Sequence, residues 1–165
     1  MKIITEFPCE VVEHADMGIT MPDGCRLSAR VWMPANAMLQ PVPVILEHLP
    51  YRKRDGTVVR DTFTHPWFAG HGYVCIRTDI RGNGESEGLM KDEYSPRELA
   101  DAKEIIEWAA AQPWCNGYVG MIGISWGGFN GLQLAYMQPE ALKAVATVCS
   151  TTCLLYTSPS PRDRG

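Results

Sequence analysis

The 165-residue chain reads as an α/β domain: a β-hairpin followed by a mostly parallel sheet with helices on both faces. Three observations predict this class. Short β-branched runs alternate with helical stretches along most of the chain. The segments between those runs are long enough for crossovers, which force parallel pairing with right-handed connections. A turn signal near the start separates two extended runs with no helix between them. No internal repeat appears.

The elements follow in order. Residues 9–20 and 26–33 flank Met21-Pro22-Asp23-Gly24, and Pro-Asp-Gly favours a tight turn, so these two runs are expected to pair as a hairpin. "PVPVILEHLP" supplies a buried strand over 42–46, bounded by prolines. "HPWFAGHG" predicts a short helix over 65–72, stopped by Gly70 and Gly72, and "YVCIRTDI" a strand over 73–80. Ser95-Pro96-Arg97-Glu98 then opens the clearest helix, with an N-cap, proline at the first helical position and the glutamate of a capping box. Its apolar face is Leu99, Ala102, Ile105, Ile106 and Ala109, and Pro113 ends it. A strand over 118–124, a helix over 126–138 and a last strand within 142–150 complete the pattern. "CLLYTSPSPRDRG" has no periodicity, and residues 153–163 resemble the conceptual translation of a transposase adapter used in sequencing libraries. Residues 1–152 are therefore expected to form an incomplete domain, and residues 153–165 a non-native, adapter-derived tail without function.

Composition narrows the function classes. A net charge of −4 argues against nucleic acid as a partner. The one cationic run, Arg52-Lys53-Arg54, reads as a solvated loop. No run approaches the roughly eighteen apolar residues of a membrane span, and the first residues lack the apolar stretch of a signal peptide. The six cysteines are scattered, without C-x-x-C or metal-ligand spacing, so no metal is expected. Cys75 and Cys149 lie in apolar runs, where free cysteine acts as a small hydrophobe. A reduced, cytoplasmic protein is the expectation, with no oligomeric state implied.

The chemistry centres on "GMIGISWGGFN", residues 120–130. A Gly-x-Ser-x-Gly pentapeptide alone is weak, and a Gly-rich turn with an incidental serine would produce it. Here it lies between a strand and a helix, where a nucleophile elbow must sit, with Ser125 at the bend and Gly123, Gly127 and Gly128 as its structural support. The helix that starts there aims its positive end at Ser125, and the Trp126 backbone N–H becomes a candidate oxyanion donor. A second donor should follow an earlier strand, in "EHLPYRKRDG". Tyr51 offers its phenolic O–H, or else packs as an amphipathic aromatic with its hydroxyl in water; the residues alone leave both open. "DIRGNGESEG", residues 79–88, fails as a dinucleotide fingerprint, because Glu87 stands where the third glycine should be. Asp79 and Arg81 are expected to hold that loop by hydrogen bonds. His48 reads as a satisfied structural histidine, and Trp67, Trp108 and Trp114 as packing. All four histidines (His14, His48, His65, His71) precede Ser125.

Four ordered stretches, "MPDGCRLSARVWMP", "LPYRKRDG", "YVCIRTDIRGNGESEG" and "GMIGISWGGFNGLQLA", resemble the motifs of the X-Pro dipeptidyl-peptidase and cocaine-esterase (CocE/NonD) family of α/β-hydrolases. The resemblance covers residues 11–150. It implies the N-terminal part of an α/β-hydrolase fold, truncated, with Ser125 as nucleophile and Tyr51 O–H and Trp126 N–H as the oxyanion hole. It implies small ester, amide or peptide substrates, including peptide bonds after an X-Pro dipeptide, and no metal or organic cofactor. The family's chain order is Ser, then Asp, then His. The triad Asp and His, the helical cap and the C-terminal jelly roll are absent here, so this chain is expected to be inactive alone. A non-catalytic binding module of the same shape is the alternative, and a nucleotide-binding domain is disfavoured by the failed fingerprint.

Overall fold

The computed structural model describes residues 6–151. Its elements run β1 (Val11–Thr20), β2 (Arg26–Pro34), β3 (Val42–Leu49), α1 (Val58–Gly70), β4 (Val74–Asp79), α2 (Pro96–Ala110), β5 (Cys115–Ile124), α3 (Trp126–Met137) and β6 (Leu142–Val148). One sheet forms in the order β1-β2-β4-β3-β5-β6. The β1–β2 hairpin is antiparallel and β2 pairs antiparallel to β4, while β4, β3, β5 and β6 are mutually parallel. Hairpin and parallel sheet thus follow the sequence expectation. The hairpin turns at Gly24, whose φ of 84° suits glycine and whose N–H donates to the Met21 carbonyl at 2.9 Å.

Side-chain alternation sorts the core onto two faces. Val31, Val44, Leu46, Val74 and Ile76 join Ile105, Ile106 and Leu134 beneath α2 and α3. The intervening positions Trp32 and Cys75 point the other way, toward Ala69, with Ile45 and Phe68 packed alongside. Helices therefore cover both faces, α1 on one and α2 with α3 on the other.

Some boundaries differ from the sequence reading. The helix expected from His65 begins at Val58, and Pro66 lies inside it. Asp61 in its first turn is tied to Arg77 of β4 at 3.2 Å, a tertiary contact that the local pattern does not show. Strand β3 continues past Leu46 to Leu49 and takes Glu47 and His48 into the interior, 2% and 0% exposed. Lys53, assigned to a solvated run, is completely buried in an ion pair with Asp79. Cys75 is buried as expected and its thiol is pushed up by desolvation. Cys149 is not: it is exposed, with φ 56°, one residue past β6. The expected tail, residues 153–165, and the boundary at 152 lie outside the described residues. Among the described residues no helix is long and apolar enough to cross a membrane.

Candidate active site

Ser125 is the single residue between the end of β5 and the start of α3. Its backbone sits at φ 51°, ψ −116°, a left-handed conformation that disfavours any residue with a Cβ. Two hydrogen bonds lock it: Ser125 N–H to the Val148 carbonyl at 2.8 Å, and Phe129 N–H to the Ser125 carbonyl at 3.0 Å. The side chain caps none of the helix N–H groups, and the residue is half-buried, so its hydroxyl is open to chemistry. The flanking glycines are required by space. A Cβ at Gly123 would overlap the Gly127 backbone, one at Gly127 would lie 2.9 Å from Leu49 Cδ2, and one at Gly128 would lie 2.5 Å from Ser150 Oγ. The structure thus brings Ser125, Trp126, Gly123, Gly127 and Gly128 together as one tight bend.

Tyr51 lies in the loop that follows β3, partly exposed. That loop is fastened from below. Lys53 donates its backbone N–H to Asp79 Oδ1 at 2.7 Å, and its ammonium lies 3.5 Å from Asp79 Oδ2 and bonds Glu85. Arg77 reaches both ends of the loop, bonding the Leu49 carbonyl at 3.4 Å and Thr57 Oγ1 at 3.1 Å. Asp79 also accepts from Glu85 N–H at 3.0 Å, and Gly84 leaves room for its carboxylate, which a Cβ there would overlap. Arg81 grips Asp101 through two bonds of 2.7 and 2.8 Å. Asp79 and Arg81 therefore hold the loops, as the sequence suggested.

Two neighbours were not found from sequence. Tyr94, with φ 51°, sets its ring 5.0 Å from Trp126 and 5.5 Å from Phe129. Burial, and to a lesser degree the nearby carboxylates of Glu93 and Glu98, push the Tyr94 hydroxyl up. Glu98 itself accepts from the Trp126 indole Nε1–H and from Asn130 Nδ2, each at 2.6 Å. Nothing in the local pattern signals this, because a capping box accounts for the same glutamate.

No histidine is engaged with Ser125. His48 is fully buried, its Nδ1 2.7 Å from Thr78 Oγ1 and its Nε2 without a hydrogen-bond partner, so the expected structural histidine is satisfied at one nitrogen only. Desolvation pushes it down to about 3, and the ring is neutral. His65 packs on Trp32 with ring centres 4.8 Å apart and is pushed down to about 4, again chiefly by burial. His71 stacks on Trp67 at 4.2 Å, and His14 is exposed on β1. Trp108 and Trp114 pack edge to face at 5.9 Å, the packing role expected of them. Among the described residues Glu47, Asp61 and His65 gather their potential ligand atoms within 4.8 Å. Arg60 and Arg77 already contact both carboxylates, at 2.5 to 3.7 Å, and a cation would have to displace two guanidiniums. That donor set does not suit a metal.

A serine elbow at the end of a parallel strand, in a sheet opened by an antiparallel hairpin, defines an α/β-hydrolase. Residues 23–158 match the X-Pro dipeptidyl-peptidase (S15) family, and the chain belongs to it. It is 37% identical to the cocaine esterase of Rhodococcus sp. over 133 residues, 78% of this chain and 22% of that one. It superposes on a CocE/NonD family hydrolase from Staphylococcus aureus with a TM-score of 0.73 at 27% identity, covering 82% of this chain and 27% of the other. An α-amino acid ester hydrolase shares the fold, with a TM-score of 0.65 at 24% identity over 88% of this chain and 26% of its own. The chain spans about a quarter of the length of the curated relatives it matches.

Proposed function

We propose that this chain carries the nucleophile of an acyl-transfer site. Ser125 Oγ attacks the carbonyl of a small ester or amide, the carbonyl becomes an oxyanion, and the alcohol or amine leaves to give an acyl-serine that water then hydrolyses. The Trp126 backbone N–H and the Tyr51 phenolic O–H receive the oxyanion. The observation that carries the reading is the left-handed Ser125 between β5 and α3, with three glycines clearing the space around it. Tyr51 is supported by its loop, which follows β3 where Leu49 meets Gly127.

The proton of Ser125 needs a base, and all four histidines have other surroundings. The base and its orienting acid belong to the part of the relatives' length that this chain does not span. The 165-residue chain alone is therefore inert, and the full reading frame is an esterase, amidase or X-Pro dipeptidyl-peptidase acting on small acyl or peptide substrates without a cofactor. The five described cysteines are free thiols, which suits a reducing, cytoplasmic setting. The missing base also favours a second reading, a non-catalytic module of hydrolase shape. The test is to read the genomic DNA past codon 152 and to assay the encoded protein on an activated ester and an X-Pro anilide. We expect a frame that continues into an Asp and a His, and turnover that falls about 10⁴-fold or more in Ser125→Ala. Turnover that survives that substitution removes Ser125 from the mechanism. A frame without the acid and base leaves the binding module, and Ser125-dependent turnover by the 165 residues alone overturns the missing base.

A further inference from the structure

We infer that Glu98 is a positioning residue for the oxyanion hole, clamping the first turn of the elbow helix to the strand that leads into the Tyr51 loop; this rests on the hydrolase reading above. The Ser-Pro-Arg-Glu sequence predicts a reciprocal capping box, with Glu98 bonding back to the Ser95 N–H. Only half of it forms. Ser95 Oγ accepts from the Glu98 N–H at 3.2 Å, but the Glu98 carboxylate turns away from its own helix and crosses to α3. There it is 6% exposed and, among the described residues, forms no ion pair with a lysine or arginine. Its partners are the neutral indole and amide donors, helped by the positive end of α2. Burying a carboxylate on such terms is unfavourable, and a departure from a local rule that lowers stability is expected where a site needs it.

The contacts say what the site gains. Trp126 is the first residue of α3, and its backbone N–H is the proposed oxyanion donor. Holding its indole at 2.6 Å fixes the side chain, and through it the backbone that presents the N–H. Asn130 stands one turn further on the same helix face, so Glu98 grips α3 at two points. The same Asn130 amide reaches the His48 carbonyl at 3.4 Å, near the end of β3 and three residues before Tyr51. Glu98 of helix α2 therefore holds helix α3 directly and strand β3 through Asn130, and the separation of the two oxyanion donors depends on it.

Charge does not explain the arrangement. A carboxylate near the start of α3 opposes a developing oxyanion, so what Glu98 supplies is an acceptor at a fixed place. Glutamine can supply the same acceptor without the charge.

The experiment uses the full-length enzyme and the variants Glu98→Gln, Glu98→Ala, Trp126→Phe, and Glu98→Ala with Trp126→Phe. Competent sites are counted by titration with an organophosphate, so that kcat is per folded site. We expect Glu98→Ala to lower kcat about 10- to 100-fold with KM within about twofold, less than the loss of a whole oxyanion donor. Glu98→Gln should stay within about threefold of the parent. Trp126→Phe should lower kcat in the same direction but by no more than Glu98→Ala, which also breaks the Asn130 bond, and the double variant should lose no more than Glu98→Ala, because the Trp126–Glu98 bond is already broken in each. If Glu98→Ala does not fold, Trp126→Phe against Glu98→Gln still decides, since the indole bond is broken in one and kept in the other. An unchanged kcat per titrated site in Trp126→Phe or Glu98→Ala, additive losses, or a glutamine variant as impaired as alanine overturns the inference. Activity persisting in Ser125→Ala instead overturns the hydrolase reading and is recognisable separately.

Discussion

Two buried carboxylate clusters lie on opposite faces of the sheet, and they are built on different terms. Beneath α1, Glu47 and Asp61 meet Arg60 and Arg77, two charges of each sign within 2.5 to 3.7 Å. Burial pushes the Glu47 carboxyl up and the two guanidiniums partly reverse that, while burial pushes Arg77 down. Beneath α2 and α3, Glu98 has only neutral hydrogen-bond donors. The first cluster is balanced, and its parts are indispensable to one another. The second is unbalanced, and what it supports is the position of Trp126. The closed network serves the fold, and the open one lies where we place the support of the proposed oxyanion hole.

The largest expected effect separates these terms directly. Asp61→Ala leaves Arg77 buried without its nearest carboxylate, a loss of about 3–5 kcal/mol in chemical denaturation. Glu98→Ala leaves two neutral donors unmet, a loss of about 1–3 kcal/mol. Equal losses would erase the distinction. An intermediate effect comes from pH, because one histidine accompanies each cluster: His65 lies 3.6 Å from Glu47, and the His48 carbonyl accepts from Asn130. Both folded values, about 4 and about 3, lie below the unfolded value near 6.5, so the unfolded chain binds more protons between them. Their contribution is fully present above about pH 6.5 and is lost as pH falls toward 4 for His65 and 3 for His48. By pH 5 each should have cost roughly 2 kcal/mol. His65→Gln and His48→Gln should each flatten the acid limb, and a parent stability level from pH 7 to 4.5 would refute the burial of both rings.

The smallest effect lies outside both clusters and serves as their reference. Strand β6 pairs only with β5 among the described residues, and Ala144, Ala146 and Val148 are exposed along it. An apolar edge of that kind templates association. Ala146→Lys should leave the unfolding free energy of the 165-residue chain within about 0.5 kcal/mol and sharply reduce its self-association in sedimentation. A parent chain that is already monodisperse would show the edge to be harmless.

The sequence spoke clearly wherever a local rule had one meaning. The Pro-Asp-Gly turn, the alternation of β-branched runs with helices, and the strand–serine–helix bend with Gly123 and Gly127 all carried their structure in short-range pattern. It was silent or misleading where a tertiary partner decided. Lys53 reads as part of a solvated run until Asp79 and Glu85 close around it. The helix read from His65 starts a full seven residues earlier, at Val58, where Asp61 engages Arg77. Glu98 reads as a cap because the capping box is a complete local explanation, and only the placement of α3 offers its carboxylate something else. Cys149 sits in an apolar run, yet the strand it follows lies at the edge of the sheet.

The backbone of Ser125 carries a conformational cost. At φ 51° and ψ −116° glycine rests easily, whereas a side chain costs on the order of 1–3 kcal/mol. Ser125→Gly would relieve that strain and remove the hydroxyl with it. The bend therefore holds a reactive hydroxyl at the expense of the fold that presents it.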